Sequence, residues 1–141
     1  MKKKLLIITI LAVTVGGAVF LKNMSVPKNQ PEEIFVSAST TAERMDYFAS
    51  HGWEVEEISE KNVTIPSVFS DEYESYAVIQ DKQGLPLRRY TGRNGRIFVY
   101  SVKNYSPENR KMFAELIVCD NIAVASLVYS EDGSDIRIPV Q

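Results

Sequence analysis

Arginine is concentrated in one stretch of this sequence. Between positions 85 and 104 there are five basic residues and no acidic one: Arg88, Arg89, Arg93, Arg96 and Lys103. Guanidinium groups bind phosphate and carboxylate through paired hydrogen bonds, and the ring of Tyr90, which lies among the arginines, offers a stacking surface. The four arginines and Tyr90 are therefore a candidate site for an anionic wall polymer or lipid head group. The alternative, which we favour, is a solvated strand face on which these arginines pair with the acids of residues 54–60.

His51 and Cys119 are the only histidine and the only cysteine. Nucleophilic catalysis needs a nucleophile within hydrogen-bond reach of a base, which a third group orients. No Gly-x-Ser-x-Gly or Cys–His signature accompanies either residue. His51 lies at the end of a predicted helix, where the dipole favours a cation, and Asp120 disfavours a thiolate at Cys119. We predict that the protein is not an enzyme and keep a small hydrolase as a remote alternative.

Patterns for metal binding are missing from the sequence. One histidine and one cysteine are too few for a zinc site. The acidic runs at 54–60 and 71–74 lack the Asp-x-Asp-x-Asp-Gly loop of a calcium site. A carboxylate pair for glycoside hydrolysis is the other enzymatic alternative, although a domain of about 100 residues rarely holds a sugar-binding cleft. We therefore predict neither a metal nor a cofactor.

The tyrosines allow two interpretations. Either they line a ligand pocket between a helix and a sheet, or they belong to a hydrophobic core with their hydroxyls at its edge. We expect the second. The residues concerned are Tyr73, Tyr76, Tyr90, Tyr100 and Tyr105.

A run of seventeen uncharged residues, Leu5–Leu21, follows Lys2, Lys3 and Lys4, and Lys22 ends it. As a helix this run would reach about 26 Å, close to the roughly 30 Å of a bilayer's hydrocarbon core. The basic residues before it predict a cytoplasmic N-terminus and an exported remainder. We predict a single-pass cell-membrane anchor, because bulky residues at the end of the run make a poor signal-peptidase site. Cleavage and secretion are the alternative.

The anchor divides the chain into three predicted segments. Residues 1–22 form a cytoplasmic stub and transmembrane helix, residues 23–39 a flexible tether, and residues 40–141 an extracytoplasmic domain. Without the three leading lysines, the 16 basic residues fall to 13 against 18 acidic ones, a net charge of −5. This charge and the compartment argue against a nucleic-acid partner. A single cysteine excludes an internal disulfide, so the fold must depend on its hydrophobic core.

Two helices are predicted in the first half of the domain. The first starts at Thr40 or the next residue, and Glu43 completes a capping box with Thr40. The second has Ser70 as its N-cap and Gly84 as its C-terminal signal. Helical spacing assigns to the buried face of the first helix Ala42, Met45, Phe48 and Ala49.

An antiparallel meander is predicted after the helices. Asn94-Gly95 is a strong turn dipeptide, and Asp120-Asn121 is predicted to connect a hairpin. Strands are predicted at 53–58, 96–104, 113–119, 122–129 and 135–138, and residues 63–65 are predicted either to continue the first of these strands or to pair with it. The expected fold class is α+β, with both helices packed on one face of an antiparallel sheet of about four to five strands.

Ordered motifs across residues 40–138 resemble an uncharacterised family, domain of unknown function 4830. The motifs are Tyr47-Phe48-x-Ser50-x-Gly52-Trp53-Glu54-Val55, Ile65-Pro66-x-x-Phe69, Tyr73-x-x-Tyr76-x-x-Ile79-Gln80-x-x-Gln83-Gly84, Leu87-x-x-Tyr90-x-Gly92, Tyr100-x-Val102-x-Asn104-Tyr105 and Leu116-Ile117-Val118-x-Asp120. The chain departs from the family at the hairpin, where Asp120-Asn121 replaces the expected Asp-Gly. The resemblance implies a small anchored protein of Firmicutes, hence a Gram-positive envelope, and supplies no activity, ligand or catalytic residue.

These observations predict a non-catalytic module anchored in the membrane through Leu5–Leu21. Its exported domain is expected to contact another protein of the cell envelope as a regulator, adaptor or assembly factor. The alternative is binding of an anionic envelope ligand through the arginines.

Overall fold

An antiparallel sheet organises the part of the protein that the computed structural model describes, residues 32–132 and 136–141. The sheet has six strands in the order β1-β5-β4-β3-β2, and β6 also pairs with β5. The elements in chain order are β1 Val36–Ser37, α1 Thr41–Ala49, β2 Val55–Thr64, α2 Asp71–Gln83, β3 Asn94–Val102, β4 Met112–Cys119, β5 Ile122–Ser130 and β6 Arg137–Ile138, with single 3₁₀ turns at Leu87–Tyr90 and Pro107–Asn109. The predicted α+β class is confirmed, with more strands than expected.

The predicted helix ends are confirmed by their hydrogen bonds. The Thr40 hydroxyl accepts from the backbone N–H of Glu43, and the Glu43 carboxylate accepts from the backbone N–H of Thr40. Ser70 caps α2 by accepting from the N–H of Tyr73. Gly84 ends α2 in the left-handed conformation, with φ of 76°, which a glycine adopts without steric cost.

The two helices pack on opposite faces of the sheet, so the prediction that both cover one face is wrong. Phe48 of α1 packs in a cluster that includes Tyr100 of β3. Ala77 of α2 belongs to a second cluster, with Ile117 and Leu127 of the two central strands. Because successive residues of a strand point to opposite faces, strands that are apolar at every position, as β4 and β5 nearly are, need cover on both sides.

The buried face of α1 is rotated from the predicted one. Ala42 and Ala49 are exposed, whereas Arg44 is buried. Its guanidinium lies 3.8 Å from the centre of the Phe98 ring, and its Nε donates to Glu57 over 3.2 Å. An ion pair and an aromatic stack thus place an arginine where hydrophobic periodicity predicts a solvent-facing residue.

The first two residues of β3 replace a predicted turn. Asn94 and Gly95 pair with the end of β2, and the chain between the two strands runs through α2 instead of a tight hairpin. A Cβ on Gly95 would lie 2.5 Å from the Val118 carbonyl oxygen and 2.6 Å from the Cys119 sulfur. Glycine is required here by close packing against β4. The Asp120-Asn121 hairpin is confirmed, and both of its residues have positive φ.

The sheet begins inside the segment predicted to be a tether. Val36 pairs with Ala123 at one end of β5, and Ile138 of β6 pairs with Val128 near the other end. Between these short strands the Gln80 side chain replaces a strand: its Nε2 donates to the Ser126 carbonyl over 3.0 Å, and its Oε1 accepts from the Ser126 N–H over 2.8 Å.

β2 forms the other edge of the sheet. It runs without a break from Val55 to Thr64, so of the two predicted alternatives residues 63 and 64 continue the first strand. A register shift interrupts its pairing with β3 between Glu57 and Ser59. The intervening Ile58 is exposed.

Within residues 32–132 and 136–141 no helix has the length and apolar character needed to cross a membrane. The predicted anchor Leu5–Leu21 and most of the predicted tether lie outside these residues.

Candidate functional site

A cleft lies between the first half of α2 and the face of the sheet that this helix covers. Its volume is about 630 Å³. Apolar groups form most of its surface, with Ile97, Ile117 and Leu127 contributed by strands. Six polar or charged side chains and three tyrosines complete the lining. A concave and mainly apolar surface with a few converging polar groups is the usual form of a binding site.

Glu115 places a carboxylate inside this cleft. It lies in β4, opposite Val99 of β3 and Leu127 of β5. Its Oε2 accepts a hydrogen bond of 2.7 Å from the hydroxyl of Tyr76. Burial raises the pKa of Glu115, although the hydrogen bond from Tyr76 and the charge of Arg137 work in the opposite direction. An ionised carboxylate costs free energy in such surroundings, so Glu115 is a group that a ligand could stabilise.

Three tyrosines surround this carboxylate. Tyr73 and Tyr76 lie one turn apart on α2, with ring centres 5.5 Å apart, and Tyr129 faces them from β5. Burial, and after it the negative charge of Glu115, raises the pKa of each of the three hydroxyls. The charge of Glu115 therefore acts on all three tyrosine hydroxyls.

Charged residues also lie at the margin of the cleft. Glu72, in the first turn of α2, and Arg137 of β6 are both exposed. Within the described part of the chain, Arg137 makes no ion pair, and its charge acts on Glu115 only at longer range. The described residues that line the cleft thus carry two carboxylates and one guanidinium.

The four arginines of the predicted site form ion pairs with different acidic residues. Each arginine is exposed and each is engaged in an ion pair. The pairs are Arg88 with Glu74 and Asp81 at 2.5 and 2.9 Å, Arg89 with Glu33 at 2.5 Å, Arg93 with Asp120 at 2.5 Å, and Arg96 with Glu60. The guanidinium of Arg93 also lies 5.4 Å from the Tyr90 ring centre. An anionic ligand would have to displace these carboxylates.

His51 and Cys119 do not form a catalytic arrangement with the described residues. The Nδ1 of His51 lies 2.8 Å from the carbonyl oxygen of Tyr47, one turn earlier, and 3.4 Å from the hydroxyl of Ser50. That hydroxyl donates to the same Tyr47 carbonyl over 2.9 Å, so this contact belongs to the end of the helix. Burial, and then the charge of Asp120, raises the pKa of the Cys119 thiol, so this thiol is held in its unreactive form. In residues 32–132 and 136–141, no three metal-binding side chains are grouped.

The five tyrosines considered in the sequence divide between the two interpretations. Tyr73 and Tyr76 line the cleft. Tyr100 is buried in the cluster beneath α1, and Tyr105 packs edge-on against Trp53 with ring centres 5.9 Å apart. Tyr90 lies beside Arg93.

Sequence reasoning missed Glu115, Tyr129 and Arg137. One signal was present: Glu115 is the only charged residue in the apolar run Met112–Cys119. A lone carboxylate in such a strand suggests a specific partner.

No protein-family model, curated protein or solved structure matches this chain. The resemblance to domain of unknown function 4830 therefore stays a prediction.

Proposed function

We propose that this protein is a non-catalytic binding module of the cell envelope, anchored by Leu5–Leu21, and that its exported domain holds a partner protein in the cleft beside α2. The observation that carries the proposal is the cleft itself. It is a mainly apolar surface between helix and sheet whose lining includes the Glu115 carboxylate and three tyrosines. Tyrosine is enriched at protein interfaces because its ring buries a large area and its hydroxyl accepts or donates a hydrogen bond.

Binding of an anionic ligand by the arginines has weaker support. Arg88 contacts two carboxylates, and Arg89, Arg93 and Arg96 contact one each. Exposed ion pairs of this kind are weak, so the guanidinium groups are exchangeable, but the domain's net negative charge opposes the approach of a polyanion.

Photo-crosslinking in cells tests the proposal. Benzoylphenylalanine is introduced into the full-length protein at Tyr73 or Tyr129 in the cleft, and at Tyr105 as a matched control. Tyr105 is also a half-buried tyrosine, but it packs with the cluster on the opposite face. We expect one and the same protein to be captured from Tyr73 and Tyr129 and not from Tyr105. Capture from Tyr105 alone, or from none of the three, would overturn the proposal.

A further inference from the structure

The carboxylate of Glu115 is only partly satisfied by the protein. Tyr76 donates to its Oε2, whereas its Oε1 accepts no hydrogen bond from the described residues. Glu115 is half-buried, and its Oε1 is open to the cleft that the residue lines rather than sealed in the interior. A hydrogen-bond donor that enters the cleft could therefore bind Oε1 of Glu115, and a positively charged donor would bind most strongly.

The walls around Glu115 suit a cation. The rings of Tyr73, Tyr76 and Tyr129 line the same cleft, and the face of an aromatic ring attracts an ammonium or guanidinium group. The chain already uses this contact elsewhere, because Arg44 stacks on Phe98 and Arg93 lies over Tyr90. The alkyl part of a lysine or arginine side chain would contact the apolar strands beneath.

Charge at longer range also favours a cation. Glu72 and Glu115 outnumber Arg137 in the cleft, and the chain after the predicted anchor is net negative. Arg137 is the one cationic side chain among the described residues that line the cleft, and its charge opposes this ligand. It makes no ion pair with Glu115 and is exposed, so it is able to turn towards solvent.

We infer that the cleft receives a lysine or arginine side chain of the partner protein, whose charged group binds Glu115 between the rings of Tyr73, Tyr76 and Tyr129. This inference rests on the proposed function, because it names the chemistry of the group that the partner inserts.

Matched peptides test this inference on the full-length protein in lipid nanodiscs. The probes are acetyl-Gly-X-Gly-amide with X as lysine, norleucine or glutamate, and binding is followed by ligand-observed NMR. Norleucine keeps the alkyl chain and lacks the charge. We expect the lysine peptide to bind about tenfold more tightly than the norleucine peptide, a difference of about 1.4 kcal/mol.

Three variants identify the charges responsible. Glu115→Gln keeps the shape of the side chain and its acceptor for Tyr76, and we expect it to abolish the preference for lysine over norleucine. Arg137→Gln should preserve or increase that preference. Glu108→Gln, at an exposed carboxylate of the 3₁₀ turn Pro107–Asn109 outside the cleft lining, is the control and should leave that preference unchanged. Melting temperatures establish that the variants are folded.

The inference is overturned if lysine and norleucine peptides bind alike, if none of the peptides binds, or if the glutamate peptide binds best and loses affinity in Arg137→Gln. In-cell crosslinking of Glu115→Gln separates this failure from failure of the proposed function. If Tyr73 and Tyr129 still capture the same partner at undiminished yield, the cleft is the binding site and only the assignment of a cationic group is wrong.

Discussion

Gln80 and Ser126 are hydrogen-bonded to each other twice, as two residues of paired strands are. The side-chain amide of Gln80 donates to the Ser126 carbonyl and accepts from the Ser126 N–H. Gln80 is fully buried. A helix side chain thus satisfies the backbone of β5 at the gap between the two short outer strands, and it ties α2 to the sheet edge.

Replacement of Gln80 by leucine should destabilise the protein strongly. The buried N–H of Ser126 would lose its partner, whereas the Ser126 carbonyl would keep the hydrogen bond of 3.0 Å from Nε2 of Gln83. One unsatisfied buried backbone group costs about 1–3 kcal/mol, and we expect a loss of that size. Urea unfolding followed by the fluorescence of Trp53, the only tryptophan, measures this. Lys82→Leu, at an exposed position of the same helix, is the control. A loss below that of the control would mean that water replaces the amide.

Gly95 should not tolerate a methyl group. In Gly95→Ala the new Cβ would lie 2.5 Å from the Val118 carbonyl oxygen, and overpacking of this kind costs about 1–3 kcal/mol. The second close contact of the new Cβ is with the Cys119 sulfur. Adding Cys119→Ala should therefore restore part of the lost stability, and the part due to the Val118 carbonyl should remain lost. Full stability of Gly95→Ala would show that β3 and β4 can separate without cost.

The stability of the protein should depend on an arginine at position 44. Its removal in Arg44→Ala leaves Glu57 without its ion-pair partner and uncovers the Phe98 ring. Loss of one partner of a buried pair costs about 3–5 kcal/mol, and we expect the lower end because Glu57 is only half-buried. Arg44→Lys should recover little, since an ammonium cannot stack and pair at once. Equal unfolding free energies for the lysine variant and the wild type would contradict this.

Glu115 should make the protein less stable as the pH rises. Its pKa is raised above the ordinary 4.5, so between 4.5 and the higher value the folded protein retains a proton that the unfolded chain has lost. The free energy of unfolding contributed by this group therefore falls across that interval and is constant above it. Burial raises the pKa of the Tyr76 hydroxyl well above its ordinary value, so this group keeps its proton across the interval.

Glu115→Gln removes this contribution. The wild type should therefore lose stability relative to the variant as the pH rises above 4.5, in urea unfolding measured between pH 4 and 8. The difference between the two proteins cancels the opposite effect of Glu43 and Glu74, whose pKa values hydrogen bonds lower. Curves that stay parallel over the whole range would show that Glu115 is fully solvated in the folded protein.

The predicted anchor is tested separately from the domain. The full-length protein should remain with membranes after carbonate extraction, and a variant that lacks residues 1–22 should not. Val68→Cys, an exposed position, should react with a membrane-impermeant maleimide on intact cells once the wall is removed, while the buried Cys119 of the wild type should not. Labelling of Val68→Cys only after lysis would place the domain in the cytoplasm.

Local sequence signals predicted the ends of the elements well. The cap at Thr40, the cap at Ser70, the helix end at Gly84 and the Asp120-Asn121 hairpin each depend on residues within four positions of one another. Such short-range chemistry can be read from one sequence. The turn predicted at Asn94-Gly95 failed because long-range packing against Val118 places the glycine there.

Long-range relationships account for what the sequence did not reveal. The periodicity of α1 could not include Arg44, since its burial depends on Glu57 and Phe98. The cleft combines a carboxylate of β4 with tyrosines of α2 and β5, and strand register decides that Glu115 faces α2 and not α1. The arginine stretch is conspicuous in sequence because its acidic partners lie elsewhere in the chain.

The two edges of the sheet protect the protein from self-association in different ways. On the outer side of β5, the two short strands and the Gln80 amide are hydrogen-bonded to backbone N–H and C=O groups that another chain could otherwise pair with. β2 is long and has no strand on its outer side among the described residues, but acidic residues and the register shift after Glu57 interrupt it. Charge and irregularity discourage the edge-to-edge stacking that begins aggregation. Neutralising Glu56 and Glu60 would therefore remove one of the two obstacles to pairing along β2, while the register shift and the folded core would remain.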